Sequence, residues 1–122
     1  MQRACCGVIA SGTATLEAAY YGLPYCLVYR LAPLSYALAK VVVKIERIGL
    51  VNILAGEGVV EELIQSKAEP VAVARSLRGF LESPAKRQAL QKRLAETSGK
   101  LGGLGAHERA ARAVASWLGH AI

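Results

Sequence analysis

Residues 10–19 of the chain read Ala-Ser-Gly-Thr-Ala-Thr-Leu-Glu-Ala-Ala, and this segment is the strongest indication of the fold class. The residues before it, Ala4 to Ile9, are apolar and either small or β-branched, which is typical of a strand buried on both faces of a parallel sheet. A tight polar turn follows at Ser11, Gly12 and Thr13, and a helix begins directly after the turn. The order strand, turn and helix predicts an α/β protein.

The turn carries the residue types of a nucleotide site. Gly12 lets the backbone approach a ligand closely, while Ser11 and Thr13 either cap the helix or offer hydroxyl groups. Free N–H groups in the first helical turn favour an anion such as phosphate. Glu17 lies one turn further along the same helix face as Thr13, where a carboxylate accepts hydrogen bonds from a ribose diol. The alternative is an ordinary turn followed by a solvated glutamate.

Length and composition indicate one globular domain. The chain has 122 residues, of which 53% are hydrophobic, but no apolar run reaches the roughly 20 residues of a membrane-spanning helix. We also see no secretory signal and therefore expect a cytoplasmic protein. The three cysteines, Cys5, Cys6 and Cys26, lack metal-ligand spacing and are predicted to be small core residues. No metal site and no cofactor are predicted.

The net charge of +6 is compatible with nucleic acid, an anionic membrane surface or phosphorylated substrates. The sequence has no arginine-rich block, few aromatic residues and no recognisable RNA or DNA motif, so nucleic acid is the weakest of these candidates. All nine acidic residues are glutamates, and any aspartate that a mechanism requires must come from outside this chain.

The middle of the chain predicts a second short buried strand at Tyr25–Tyr29, which ends at Arg30. Residues 33–44 follow with helical spacing, and Lys40 and Lys44 lie four residues apart on one face. This basic stripe is either a solvated face or a contact with anionic lipid.

Residues 47–51 are predicted to form another strand, and residues 52–58 a loop before the next helix. Asn52 has the hydrogen-bonding groups to recognise a uracil edge or a sugar. Glu62 and Gln65 are three residues apart and are predicted to share a helix face.

The remainder of the chain predicts helices. One begins at Pro70, the next is capped by Ser83 and Pro84, and the last runs from about Ala106 to Leu118. Residues 99–105 contain several glycines and form a candidate hinge for exchanging the last helix with a second copy.

The ordered set of motifs resembles the C-terminal part of the lipid-A-disaccharide synthase family. The resemblance rests on residues 10–19 followed in order by Gly22-Leu23-Pro24, Tyr29-Arg30, Pro33-Leu34, Leu38-Ala39-Lys40, Val43-Lys44, Asn52-Ile53-Leu54-Ala55-Gly56 and Glu62-Leu63-Ile64-Gln65. Two departures concern the loop near position 52: Val51 stands where the family usually has proline, and Gly58 where a charged residue is common.

The resemblance implies a B-type glycosyltransferase fold with two Rossmann-like domains, of which this chain is the C-terminal piece. It implies a UDP-2,3-diacylglucosamine donor and a 2,3-diacylglucosamine 1-phosphate acceptor. We expect residues 1–66 to form part of the nucleotide-sugar-binding domain, and residues 67–122 to be helices that pack on this domain or on a partner chain. The acceptor domain and the general base are expected outside this chain, and an inner-membrane surface contact is expected through Lys40 and Lys44.

On this basis the donor site is predicted to consist of eight residues. Ser11, Gly12 and Thr13 hold the diphosphate, Glu17 binds the ribose, and Arg30 either stabilises leaving-group phosphate or forms a surface ion pair. The other three, Asn52, Glu62 and Gln65, contact other parts of the donor or line the interdomain cleft.

Three alternatives stay open at this point. The chain is also compatible with a non-catalytic fragment that pairs with another polypeptide through its terminal helices. A related N-acetylglucosamine transferase of peptidoglycan synthesis shares the Ser-Gly and Glu arrangement, although Tyr29-Arg30 and residues 52–56 argue against it. Nucleic-acid binding through the basic surface is the third.

Overall fold

Three short parallel strands form the sheet at the centre of the protein. In the computed structural model, which describes residues 1–10, 12–32, 35–36, 47–103 and 105–119, the strands are β1 (Gly7–Ala10), β2 (Tyr25–Tyr29) and β3 (Glu62–Ile64). They lie in the order β1-β2-β3, with Gly7 opposite Tyr25 and Leu27 opposite Glu62. The predicted α/β class with a short parallel sheet is confirmed.

The helices are numbered here along the described chain: α1 (Ala14–Tyr20), α2 (Leu50–Ala55), α3 (Pro70–Glu82), α4 (Pro84–Gly99) and α5 (Ala106–Trp117), with a single 3₁₀ turn at Gln65–Lys67 after β3. Helix α3 packs on β1 and β2, whereas α4 packs against α1, α2 and α3. The sheet is therefore covered by helices from both halves of the sequence. None of the described helices has the length and hydrophobicity needed to span a lipid bilayer.

The core lies where the side of the sheet that carries Ile9 and Leu27 meets the surrounding helices. Its buried apolar members are Ile9, Ala18, Ala19, Leu23, Tyr25, Leu27, Val51, Val59, Val60, Phe80, Leu90 and Leu94. Burial of each valine, leucine, isoleucine or phenylalanine side chain contributes on the order of 1.5–3 kcal/mol to the free energy of unfolding, which makes this cluster the main source of stability. Because the cluster includes Phe80 of α3 and Leu90 and Leu94 of α4, it joins these two helices to the sheet.

The last helix is an exception to this packing. Helix α5 has no buried residue, and its apolar side, formed by Ala110, Ala111, Val114, Ala115 and Leu118, borders an open groove. Trp117 is 87% exposed. A helix with one apolar side usually covers that side against another element, and none of the described elements does so here.

Several predicted boundaries are confirmed. Strand β2 spans the predicted residues, α3 begins at Pro70, and the Ser83 hydroxyl accepts a hydrogen bond of 3.2 Å from the N–H of Lys86 at the start of α4. The predicted helix over residues 33–44, with Lys40 and Lys44, falls mainly on residues outside those described, as does Ser11.

The segment from 47 to 65 differs from its prediction. Residues 50–55 form a helix instead of a strand and loop, and Glu62 lies in a strand with Gln65 in a 3₁₀ turn, so these two side chains do not share a helix face. The prediction was wrong because α2 has only 6 residues, too few for a periodic signal, and long-range side-chain contacts hold it in place.

The cysteines were predicted to be core residues, and this holds for Cys26 alone. Cys26 is buried in β2, whereas Cys5 is exposed and Cys6 is half-buried because both precede β1. Burial raises the pKa of the Cys26 thiol, and the same cause, with the neighbouring Cys5, raises the pKa of Cys6.

Candidate functional site

The carboxyl ends of β1 and β2 lie side by side because the strands are parallel, with Ala10 opposite Val28. The chain leaves β1 through the predicted turn, where Gly12 has a φ of +134°, a conformation that L side chains rarely adopt. The Gly12 carbonyl accepts hydrogen bonds from the N–H of Thr15 at 3.2 Å and from the Thr15 hydroxyl at 2.6 Å. These bonds fix the turn directly before α1.

The first residues of the turn keep hydrogen-bonding capacity for a ligand. The Thr13 side chain is exposed and makes no capping hydrogen bond to α1, so the predicted cap through this hydroxyl is not formed. Within the described parts of the chain, no group accepts a hydrogen bond from the backbone N–H of Gly12 or Thr13. The turn therefore offers two N–H groups and one hydroxyl at the carboxyl edge of the sheet.

Arg30 stands at the same edge, directly after β2, and borders a cavity of about 830 Å³. The lining is otherwise mostly apolar and comes from both strands and from α3: Val8, Ala10, Val28, Tyr29, Ala68, Pro70, Val73, Ala74 and Leu77. Arg30 is exposed, and among the described residues no carboxylate pairs with it. A cation beside an apolar cavity suits a ligand with both a phosphate and an apolar part.

Glu17 lies apart from this cavity. It is exposed on α1 and lines a smaller, more polar cavity of about 390 Å³ together with Met1, Gln2, Arg3 and Tyr21. The sequence correctly predicted that Glu17 follows the turn on a helix, one turn beyond Thr13. Glu17 and Arg30 therefore line two different cavities.

Asn52 is 2% exposed, and all of its side-chain hydrogen-bonding groups have partners within the protein. Its oxygen accepts hydrogen bonds from the N–H of Val59 at 2.8 Å and of Val60 at 2.9 Å. Its NH₂ group donates to the Val60 carbonyl at 2.9 Å and to the Glu62 carboxylate at 2.8 Å. A contact between Asn52 and a ligand would require these bonds to break, so Asn52 serves to hold the loop between α2 and β3.

Glu62 completes the same network. Its two carboxylate oxygens accept hydrogen bonds from the N–H groups of Ile48 at 3.0 Å and Gly49 at 2.9 Å, at the start of α2. A carboxylate in this position accepts hydrogen bonds from N–H groups that have no partner within the helix. Its negative charge is stabilised by the positive end of the helix dipole. Glycine fits position 49 because a Cβ there would lie 3.0 Å from the side chains of both Glu62 and Leu27, which would have to shift to make room for it. Sequence reasoning missed this role, although glycines at positions 49 and 56, on either side of α2, were an available signal.

Gln65, the third residue predicted from the segment 52–65, lies at the carboxyl edge of the sheet. Its side-chain amide exchanges two hydrogen bonds with the backbone of Leu31, the residue after Arg30. Six of the predicted residues therefore form three groups: Gly12 and Thr13 at the turn, Gln65 beside Arg30 at the end of β2, and Asn52 with Glu62 between α2 and β3. Glu17 lies apart from all three, in the smaller cavity. Within the described ranges no cluster of His, Cys, Asp and Glu side chains has the arrangement of a metal site.

Comparison with known proteins identifies similar chains. Residues 1–116 match the family model described as lipid-A-disaccharide synthetase. The chain is 44% identical over 104 residues to the lipid-A-disaccharide synthase of Syntrophus aciditrophicus, covering 85% of this chain and 27% of the relative. It is 45% identical over 119 residues to the same-named protein of Trichlorobacter lovleyi, covering 97% of this chain and 31% of the relative. A third relative, from Geobacter sulfurreducens, is 38% identical over 115 residues, which are 94% of this chain and 30% of that protein. The chain thus spans less than a third of the length of these curated relatives.

Proposed function

Since the chain belongs to the lipid-A-disaccharide synthetase family, we propose that it is the donor-binding part of a glycosyltransferase that makes the lipid A disaccharide. The donor is UDP-2,3-diacylglucosamine and the acceptor is 2,3-diacylglucosamine 1-phosphate. The observation that carries this proposal is the match of the family over residues 1–116, including the turn at Gly12 and the arginine at the end of β2.

The donor diphosphate is held at the carboxyl edge of the sheet. Ser11, Gly12 and Thr13 surround it with backbone N–H and hydroxyl groups, and Arg30 supplies a positive charge from the neighbouring strand. The ribose lies on the other side of the turn, where the Glu17 carboxylate accepts hydrogen bonds from its two hydroxyls.

The reaction breaks the bond between the sugar C1 and the diphosphate oxygen, and a hydroxyl oxygen of the acceptor forms the new bond to C1. The electron pair of the broken bond leaves with UDP, so negative charge grows on the diphosphate in the transition state. Arg30 and the N–H groups of the turn stabilise this charge. The base that takes the hydroxyl proton lies outside this chain.

Asn52, Glu62 and Gln65 support the diphosphate site from within the protein through hydrogen bonds to other protein groups. The first two hold α2 and its following loop in place, which supports β3 beside β2. Residues 1–66 belong to the nucleotide-sugar domain, and helices from residues 67–122 pack on it or on a partner chain. The protein acts in the cytoplasm at the inner face of the membrane, with Lys40 and Lys44 toward anionic lipid.

The exposed apolar side of α5 supports a second function beside this one, the pairing of the chain with another polypeptide. Val114 is 60% exposed and Trp117 is 87% exposed on a helix that buries nothing. Such a surface is typical of a protein–protein contact. The partner is either a second copy of this chain or a polypeptide that carries the acceptor domain.

A chimeric enzyme tests the proposed function directly. The chain replaces the matched residues of the Syntrophus aciditrophicus relative, and disaccharide formation is measured with the two lipid substrates. We expect the chimera to be active and Arg30→Ala to lower its rate by about 10²-fold, the usual cost of removing one stabilising donor. Arg75→Ala, an exposed arginine on α3, is the matched control.

Residues 1–122 alone should form no disaccharide, because this proposal assigns the acceptor site and the base to parts outside them. A folded chimera without activity would contradict the proposal. Disaccharide made by the isolated chain would show that the catalytic residues are misplaced.

A further inference from the structure

Gln65 occupies a position where the backbone of β3 stops pairing with β2. The last pair in the register is Tyr29 with Ile64, and the chain then turns away into the 3₁₀ turn Gln65–Lys67. The Gln65 side chain takes over at this point: its oxygen accepts a hydrogen bond of 2.6 Å from the Leu31 N–H, and its NH₂ group donates one of 3.1 Å to the Leu31 carbonyl. The side-chain amide thus acts as one more peptide group of the ladder.

The backbone of Gln65 is unusual as well. Its φ is +53°, and no other described residue apart from glycine has a positive φ. The left-handed region is unfavourable for a long side chain, and such residues persist where the surrounding structure holds them. Here the conformation aims the side chain at Leu31, while the main chain turns toward Ala68 and Pro70, which line the same cavity as Arg30.

We propose that Gln65 is a positioning residue, which holds Leu31 and thereby fixes the neighbouring Arg30 at the mouth of the 830 Å³ cavity. Arg30 is exposed and has no carboxylate partner among the described residues, so its place depends on the backbone that carries it. Gln65 itself touches no part of the donor. The inference rests on the proposed function, because it assigns Arg30 to the diphosphate.

The test measures UDP and uridine binding by calorimetry, together with amide hydrogen exchange at Leu31. Gln65→Gly removes both hydrogen bonds and at the same time relieves the unfavourable φ. Gln65→Glu keeps the acceptor for the Leu31 N–H but turns a second oxygen toward the Leu31 carbonyl, and it provides a second variant if the glycine variant folds poorly. Gln91→Ala, at an exposed position of α4, is the control.

We expect Gln65→Gly to speed exchange at the Leu31 amide, and both Gln65 variants to weaken UDP binding about tenfold, the effect of losing one charged hydrogen bond. Uridine, which has no phosphate, should bind with unchanged affinity. In an Arg30→Ala background the Gln65 substitutions should weaken UDP binding little further, because both positions act through the Arg30 side chain. A role in stability alone would weaken UDP and uridine together and leave the two substitutions additive.

Unchanged Leu31 exchange in Gln65→Gly, or UDP affinity unchanged in the Gln65 variants of a chain that binds UDP, would overturn this inference and leave the proposed function intact. Equal losses for UDP and uridine would overturn it too. A folded wild-type chain that binds no UDP would overturn the proposed function and this inference with it.

Discussion

The side-chain amide of Asn52 donates a hydrogen bond of 2.8 Å to the carboxylate of Glu62, and this bond joins helix α2 to strand β3. Both residues were candidates for ligand contact from the sequence. The structure shows them bonded to each other and to the backbone of Ile48, Gly49, Val59 and Val60. Their hydrogen bonds join α2 and the loop after it to β3.

Asn52→Asp tests this role because it replaces the NH₂ donor by an oxygen that faces the Glu62 carboxylate and the Val60 carbonyl. We expect a loss of about 2–4 kcal/mol in the free energy of unfolding, as for other broken buried networks. Urea unfolding measures it. Gln91→Glu makes the same chemical change at an exposed position and should cost less than about 0.5 kcal/mol. Equal stability of the two variants would show that the network is dispensable.

Tyr25 makes stability depend on alkaline pH. Burial raises the pKa of its phenol well above the ordinary value near 10, and the Glu62 carboxylate raises it further. Above about pH 10 the unfolded chain loses the Tyr25 proton and the folded chain keeps it, so stability falls by up to about 1.4 kcal/mol per pH unit. The free energy of unfolding, measured between about pH 9 and about pH 11, checks this fall.

Tyr25→Phe should remove this part of the pH dependence, although it also loses the hydrogen bond from the phenol to the Thr15 carbonyl. Tyr20→Phe is the matched control because Tyr20 is 72% exposed. An equally steep fall in wild type and Tyr25→Phe would refute the assignment.

The three cysteines should react with a thiol reagent at different rates. Cys5 is exposed and should be modified first, whereas Cys26 is fully buried with a raised pKa and should react only as the chain unfolds. Cys5→Ser should abolish the fast phase, and Cys26→Ala the protected one. Rapid modification of Cys26 in the folded chain would mean that β2 is more open than described.

The apolar side of α5 should cause the chain to self-associate when it is made alone. Val114→Glu places a charge in this surface and should reduce association, measured by light scattering, without unfolding the chain, since α5 buries no residue. Ser116→Glu lies on the other side of the helix and is the control. A monodisperse wild-type monomer at high concentration would contradict the pairing role.

The sequence was informative where structure is decided locally. Strand β2 is a run of apolar residues after Pro24, and α4 begins with a serine cap followed by proline, so both could be located in advance. The glycine turn after β1 could likewise be predicted from residues 10–19. In each case the deciding interactions join residues a few positions apart.

The region from 47 to 65 could not be predicted in this way. Its helix is held by a carboxylate from β3, and Gln65 bonds to Leu31 across 34 positions of the chain. A pattern in one stretch of sequence carries no information about such partners. A sequence also does not show whether a polar side chain is hydrogen-bonded inside the protein. Asn52 and Glu62 therefore resembled ligand-binding residues, although both are bonded to backbone groups.

A double-mutant cycle on Glu17 measures whether the turn at Gly12 and the following helix bind the nucleotide of the donor. UDP and 2′-deoxy-UDP are titrated calorimetrically into the wild-type chain and into Glu17→Ala, with Glu96→Ala of α4 as the control. We expect Glu17→Ala to weaken UDP binding by about 1–3 kcal/mol, the cost of leaving hydrogen-bonding partners unpaired, and to remove most of the difference between the two ligands. UDP binding that is measurable but unaffected by Glu17→Ala would contradict the ribose assignment and return Glu17 to the role of a solvated helix residue.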